Sequence, residues 1–291
     1  MIIKNLSTFL GSEKINQEKL YGKDFISKTG IPTVYKSPIS SLDLIKKALL
    51  QCNESDFKNV SALIHVTQSE VYSMPNDASF IQDYAGIPKD SLCLTINQGC
   101  SGFVQAVGLA NSLIGTYGYE RVMIVTSDTY RKFCSQDDRS TSAIFSDAAS
   151  INIVDNEKGY RMDNFVNYTD GSGSKHLIKE NKADKSLYMN GAEVYKFAKN
   201  VVLTNIIKKH ISKDLLETST FYIHQASNFV LTELYRYLPE KNCPNNLALY
   251  GNTVSTTIPL LMQDFPLIKE KVFLIGFGVG LSASLMELTH E

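Results

Sequence analysis

Short apolar runs alternate along this chain with segments whose apolar positions recur every three or four residues, and that alternation predicts an α/β fold. In the first half, strands are predicted at Val60–Val66, Leu92–Ile96, Arg121–Thr126 and Ala149–Val154, with helices around Ser41–Gln51, Pro75–Tyr84 and Gly102–Tyr117. The Leu92–Ile96 run reads as a buried strand. The second half repeats the scheme: strand Tyr160–Asn167, a long helix Gly191–Ile211, strand Phe221–His224, helices Asn228–Leu238 and Thr253–Gln263, then strands Val272–Ile275 and Leu281–Leu288. Two similar halves predict an internal duplication, residues 1–157 and 158–291, joined near Asp155 to Gly159, although no residue-level repeat is evident. Asp170 to Lys185, rich in Gly, Ser, Lys and Asn, is predicted to be a surface loop. Gly276-Phe-Gly-Val-Gly280 is not a phosphate loop, because a strand pattern and not a helix follows it. A glycine turn of this kind lets a backbone come close to something else.

Composition adds exclusions. The 291 residues are 43% hydrophobic and 20% charged, with a formal net charge of −1, so nothing favours nucleic acid or an anionic membrane surface as partner. No apolar stretch approaches the ~18 residues that span a bilayer, and the first residues lack a secretion signal, which predicts a cytoplasmic protein. Five cysteines without paired spacing suit a reducing compartment, and no zinc-ligand spacing occurs, so no metal is expected.

Three residues carry candidate chemistry. Cys100, in Thr95-Ile-Asn-Gln-Gly-Cys-Ser-Gly-Phe-Val104, falls where a strand gives way to a helix. The unpaired N–H groups and the dipole of that helix are expected to lower its thiol pKa and favour the nucleophilic thiolate. A small core hydrophobe is the competing reading, shared with Cys52, Cys93, Cys134 and Cys243. His224 closes the Phe221–His224 run before a helix, whereas His65 is read as part of a strand and His176, His210 and His290 as solvated. Asn252, in Leu249-Tyr-Gly-Asn-Thr253, sits at a third such junction, where ordinary turn and N-cap chemistry is the alternative. Strand ends of one α/β sheet gather their polar residues, so the three can converge as a Cys, His, Asn set.

The motifs Lys28-Thr-Gly-Ile31, Cys100-Ser-Gly-Phe103, Asp138-Arg-Ser-Thr141, Phe145-Ser-Asp147, Asp170-Gly-Ser172, Gly191-Ala-Glu-Val194, His224-Gln-Ala226, Gly251-Asn-Thr253 and Phe277-Gly-Val-Gly280 follow one another in this order. With them the chain resembles the thiolase superfamily, most closely the β-ketoacyl-acyl carrier protein synthase III family of condensing enzymes. The resemblance implies a thiolase-like fold, two similar α/β halves in a five-layer αβαβα arrangement, normally a homodimer. It implies that Cys100 takes an acyl group from a thioester, and that His224 and Asn252 hold the enolate left when a malonyl thioester loses carbon dioxide. The implied oxyanion hole is the backbone N–H of Cys100 and of Val279, where relatives commonly carry glycine. Phe277 is implied beside Cys100, and Met74 as the residue that the partner subunit contributes to the acyl pocket. Lys28, Arg139 and Asn228 are the implied contacts to coenzyme A, with Lys196 and Arg236 as basic residues for docking an acyl carrier protein. No cofactor is implied; acyl-coenzyme A or acyl-carrier protein enters as substrate, in fatty acid, polyketide or specialised lipid biosynthesis.

Several departures fall on coenzyme A recognition. The chain has no tryptophan where relatives stack adenine, Asp24 standing there instead; Lys28 replaces an arginine; Ala192 and Ser227 replace asparagines; Phe229 stands where a docking arginine is expected. These motivate a second reading, acyl transfer from Cys100 to a hydroxyl or amine with His224 as general base. A silent scaffold subunit and a papain-like protease are weaker alternatives. The first conflicts with an intact Cys, His, Asn set, the second with Ser101 following Cys100 at mid-chain.

Overall fold

The computed structural model describes residues 1–267 and 270–291. Two sheets share one topology. Across the first, the strand order is Ile2–Leu10, Ala148–Asp155, Arg121–Asp128, Val60–Val66, Leu92–Ile96. Across the second it is Tyr160–Thr169, Ser282–His290, Lys271–Gly278, Thr220–Ile223. In each, the opening strand lies antiparallel to the closing strand, which lies antiparallel to the one before it, and that strand is parallel to its next neighbour.

The helix Gly102–Tyr117 lies between the sheets and touches both. A Cβ on its Gly108 would come within 2.4 Å of the Phe165 ring, so the helix approaches the second sheet at glycine distance. Helix Thr257–Asp264 shares that middle layer. Phe103, Val107, Ile64, Ile124, Leu261 and Leu274 fill it, and each such fully buried side chain contributes about 1.5–3 kcal/mol of transfer free energy. Helices Ser41–Leu49 and Asp77–Ala85 cover the outer face of the first sheet. The outer face of the second is covered by Asn228–Leu234 and by a helical rod made of Gly191–Phe197, Ala198–Ile207 and Lys208–His210. The five layers are those of the thiolase fold.

Strands Val60–Val66 and Leu92–Ile96 and helix Gly102–Tyr117 match the sequence prediction residue for residue. Other elements depart from it for identifiable reasons. Leu92–Ile96 is the edge of its sheet, half exposed and not buried. The Lys271–Gly278 strand runs through Gly276 and Gly278, since their backbone still pairs with Ser284 and Ser282, so the turn is Val279, Gly280 and Leu281 and the last strand starts at Ser282, one residue later than predicted. The loop Asp170–Lys185 contains a 3₁₀ turn Gly171–His176 and a short strand Leu177–Ile178 paired with Tyr188–Met189. Asn228–Leu234 stops one turn before Leu238. Helix Thr257–Asp264 begins four residues after Thr253, because Val254–Thr256 is a 3₁₀ turn. The middle of the 191–210 rod is wound as a π-helix, which hydrophobic spacing does not distinguish from α.

Candidate active site

Cys100 follows the strand Leu92–Ile96 by four residues and precedes the Ser101 N-cap of the central helix, which places it on the predicted elbow. What comes close to it is the glycine strand. A Cβ on Gly276 would lie 2.8 Å from the Cys100 carbonyl oxygen and 2.8 Å from Ser101 Cα, and a Cβ on Gly278 would lie 3.0 Å from Cys100 Sγ. Only glycine lets these two backbones touch. The contact is fastened by Ser101 Oγ and Ser282 Oγ at 2.8 Å, and by Ser282 Oγ donating to the Val279 carbonyl at 2.7 Å.

The turn therefore delivers the Val279 N–H to Cys100. The backbone N–H groups of Cys100 and Val279 both favour negative charge at the thiol. They do not prevail. Burial, and secondarily the nearby Asp128 carboxylate, push the Cys100 thiol far above its ordinary value. The expected lowering fails because the sequence does not reveal how deeply the elbow sits; Cys100 is 6% exposed. Burial therefore favours the protonated thiol at rest. Alkylation of Cys100 by iodoacetamide, followed by peptide mass spectrometry, is expected to accelerate with pH beyond the ordinary thiol range near ~8.5. A plateau below that range would contradict this assignment.

His224 lies one residue past its strand, its N–H donating to Ile275 O at 2.8 Å. Its ring meets Phe277 edge-on at 5.5 Å, and Phe277 lies between the two glycines that touch Cys100. Burial lowers the His224 pKa to about 3, so the imidazole is neutral across the physiological range. Its Nδ1 is enclosed with no hydrogen-bond partner among the described residues.

Asn252 is gripped by the backbone on either side of Phe145: its N–H donates to Ile144 O at 2.9 Å and its carbonyl accepts from Ser146 N at 2.8 Å. Its side-chain Oδ1 accepts from Val254 N at 3.0 Å, which fixes the amide orientation, since a backbone N–H can only donate. Nδ2 therefore points the other way, toward the Ala226 carbonyl at 3.4 Å, two residues past His224. Cys100, Phe277, His224 and Asn252 are all buried, with Phe277 set between the glycines that touch Cys100 and against the His224 ring, and Asn252 Nδ2 against the backbone two residues past His224.

The other predicted residues lie farther out. Lys28 lies in the last turn of the helix Lys23–Thr29, whose C-cap Gly30 abuts Asn228, where a Cβ would come within 2.8 Å of the Asn228 Cβ. Lys28 and Arg139 are exposed and form no ion pair among the described residues. Lys196 is tied to Glu193 at 2.6 Å and Arg236 to the buried Glu233 at 3.0 Å, while Phe229 stands exposed with its ring 4.4 Å from Tyr195. Met74 is 84% exposed. A cleft of about 740 Å³ opens beside Val279 between Gln68, Tyr130, Phe133, Leu177 and Leu187; Tyr72 and Ser73 line it, and Met74 does not.

Sequence reading missed two neighbours of the thiol. Tyr130 is buried and its phenol donates to Gln68 Oε1; burial first, and then the neighbouring Asp128 and Cys100, push its pKa well up. Asp128 is fully buried at the end of Arg121–Asp128. A polar residue closing an apolar strand was the signal used for His224, and it could have found Asp128 as well.

Known proteins share this architecture. The family model for 3-oxoacyl-[acyl-carrier-protein (ACP)] synthase III matches residues 94–171, which include the Cys100 elbow and Asp128. A β-ketoacyl-[acyl-carrier-protein] synthase III of Acholeplasma laidlawii is 31% identical over 256 residues, 83% of this chain and 80% of that protein. One from Streptococcus gordonii is 28% identical over 272 residues, 86% and 82%. Among solved structures, a 3-oxoacyl-(acyl-carrier protein) synthase from Burkholderia xenovorans superposes with a TM-score of 0.86 at 28% identity, covering 99% of this chain and 94% of that one. The synthase III of Thermus thermophilus gives 0.86 at 25% identity, covering 99% of each. With the thiolase layers, the ordered motifs and relatives matched along most of both chains, this protein belongs to the β-ketoacyl-acyl carrier protein synthase III family of acyl-transferring condensing enzymes.

Proposed function

We propose that Cys100 accepts an acyl group from acyl-coenzyme A or an acyl-carrier protein, releasing the free thiol of the donor, and passes it to a malonyl-carrier protein. In the second half, the malonyl thioester carbonyl accepts hydrogen bonds from His224 and from Asn252 Nδ2. Carbon dioxide leaves, and its bonding electrons form the enolate that those donors stabilise. The enolate carbon attacks the acyl-Cys100 carbonyl, the C–S bond breaks, and Cys100 regains a proton. Phe277 closes the wall beside His224 and helps exclude water from the acyl-enzyme.

The observation that carries this reading is the pair of N–H groups, from Cys100 and Val279, that favour negative charge at the Cys100 sulfur. An oxyanion formed there has two fixed donors whatever side chain stands at Val279. Decarboxylative condensation is favoured over transfer to a hydroxyl or amine by the state of His224. An imidazole whose pKa is drawn down to about 3 is a poor general base and serves as a neutral donor. Lys28, Arg139 and Asn228 are the proposed contacts to the donor's coenzyme A arm, and the Lys196, Arg236 and Phe229 face is the proposed docking site for a carrier protein. A homodimer, formed through the exposed edge Leu92–Ile96, would let each protruding Met74 reach its partner's acyl cleft. A cytoplasmic location accords with the finding that no described helix is long and apolar enough to cross a membrane.

The test is carbon dioxide release from carboxyl-labelled malonyl-carrier protein, measured with and without prior acyl loading. Release that depends on loading and yields a β-ketoacyl thioester is the expected result. Discharge of the acyl group without carbon dioxide, to a hydroxyl or amine acceptor, would support transfer instead.

A further inference from the structure

Asn252 presents its amide from a turn that is strained. Val254 has φ of +54°, a left-handed conformation that a β-branched side chain rarely adopts. Such a residue persists only where its surroundings over-determine it. On one side, the Val254 N–H is held by Asn252 Oδ1 at 3.0 Å. On the other, Ser255 gives its N–H at 3.4 Å and its Oγ hydrogen to a single atom, Asp128 Oδ2. The second carboxylate oxygen, Oδ1, accepts from Gln68 N at 2.9 Å and Ser69 Oγ at 3.4 Å. Asp128 thus bridges the Val254–Ser255 turn of the second half to the Gln68–Ser69 loop of the first, inside the core. It makes no ion pair among the described residues, although Cys100, Tyr130 and Lys132 lie within its field.

We infer that Asp128 is a positioning residue for the condensation step: by accepting both Ser255 donors it pins the strained Val254 turn, and so holds Asn252 Nδ2 where the malonyl carbonyl must sit. All four of its contacts are donated to it. Asparagine in its place would turn an NH₂ toward one of these pairs; the serine hydroxyl there can rotate to accept, but the backbone N–H of the pair is left without an acceptor. The inference rests on the proposed role of Asn252 and separates the two half-reactions. Loading of Cys100 uses the Cys100 and Val279 N–H groups and does not need Asn252, whereas decarboxylation does.

Asp128→Asn is therefore expected to cut condensation kcat by about 10- to 100-fold, while acyl loading on Cys100 does not fall, since the change also removes a carboxylate that raises the thiol pKa. Glycine adopts positive φ without steric cost, so Val254→Gly removes the need for the pin. In that background Asp128→Asn should cost less than about threefold beyond the glycine change itself. A crystal structure of the Asp128→Asn variant reads the same claim without substrate, with Val254 expected to leave its left-handed φ and Nδ2 to move. An equal loss of loading and condensation, the same cost in the Val254→Gly background, or an unmoved turn would each overturn the assignment. If the parent protein takes no acyl group from any donor, the proposed function fails, while the crystal structure still judges the pin.

Discussion

Replacing Cys100 with alanine is expected to abolish acyl loading and to slow condensation by about 10⁴-fold or more, with the fold retained. The loss is large because no other described group offers the same arrangement. Cys100 stands between the Gly276–Gly278 backbone and the two N–H groups that favour negative charge at its sulfur. Cys134 and Cys243 are also desolvated thiols with raised pKa values, each about 12, but no backbone N–H offsets burial at either. Alanine removes only a sulfur atom from a site that already accepts a small side chain, so thermal unfolding should shift little. Initial rates of β-ketoacyl product formation, with the melting temperature as control, check both statements.

Asn252→Asp is expected to separate the half-reactions more sharply than any other single change. The new carboxylate still accepts from Val254 N, so the turn at Gly251–Ser255 keeps its internal hydrogen bond. What is lost is the Nδ2 donor, and a negative charge takes its place beside the developing enolate. Condensation should fall by about 10²- to 10³-fold. Single-turnover loading of Cys100 should be nearly unchanged, because its donors belong to another turn. Comparing the two rates on one preparation checks this, and a parallel fall in both would remove Asn252 from the enolate site.

Much of the architecture was legible because buried strands and the central helix write themselves as apolar runs and helical spacing. Gly102–Tyr117 opens on Gly102 and ends at the Gly118 C-cap, while Val60–Val66 is an apolar run set between polar Asn59 and Thr67. The strand Ile2–Leu10 was not predicted, since it mixes Lys4, Asn5, Ser7 and Thr8 with its apolar positions and takes its place only through pairing with Ala148–Asp155. The antiparallel pair of Glu13–Asn16 and Thr33–Lys36 escaped for the same reason, its strands being short and rich in polar residues. The candidate trio was legible as three polar residues at three strand ends. Its electrostatics were not, because the thiol's direction of shift depends on burial and on Asp128, neither of which the Cys100 motif encodes. Nor could spacing reveal that Gly276 and Gly278 are glycine because the elbow backbone presses against them.

The central claim, that Cys100 carries the acyl group between donor and malonyl acceptor, is tested most directly by mass spectrometry. The protein is incubated with a panel of acyl-coenzyme A and acyl-carrier protein donors, measured intact, then digested and mapped. The account predicts one added acyl mass, on the peptide containing Cys100, that disappears as a β-ketoacyl thioester forms when malonyl-carrier protein is added. An acyl mass on another residue, or none from any donor, would contradict it.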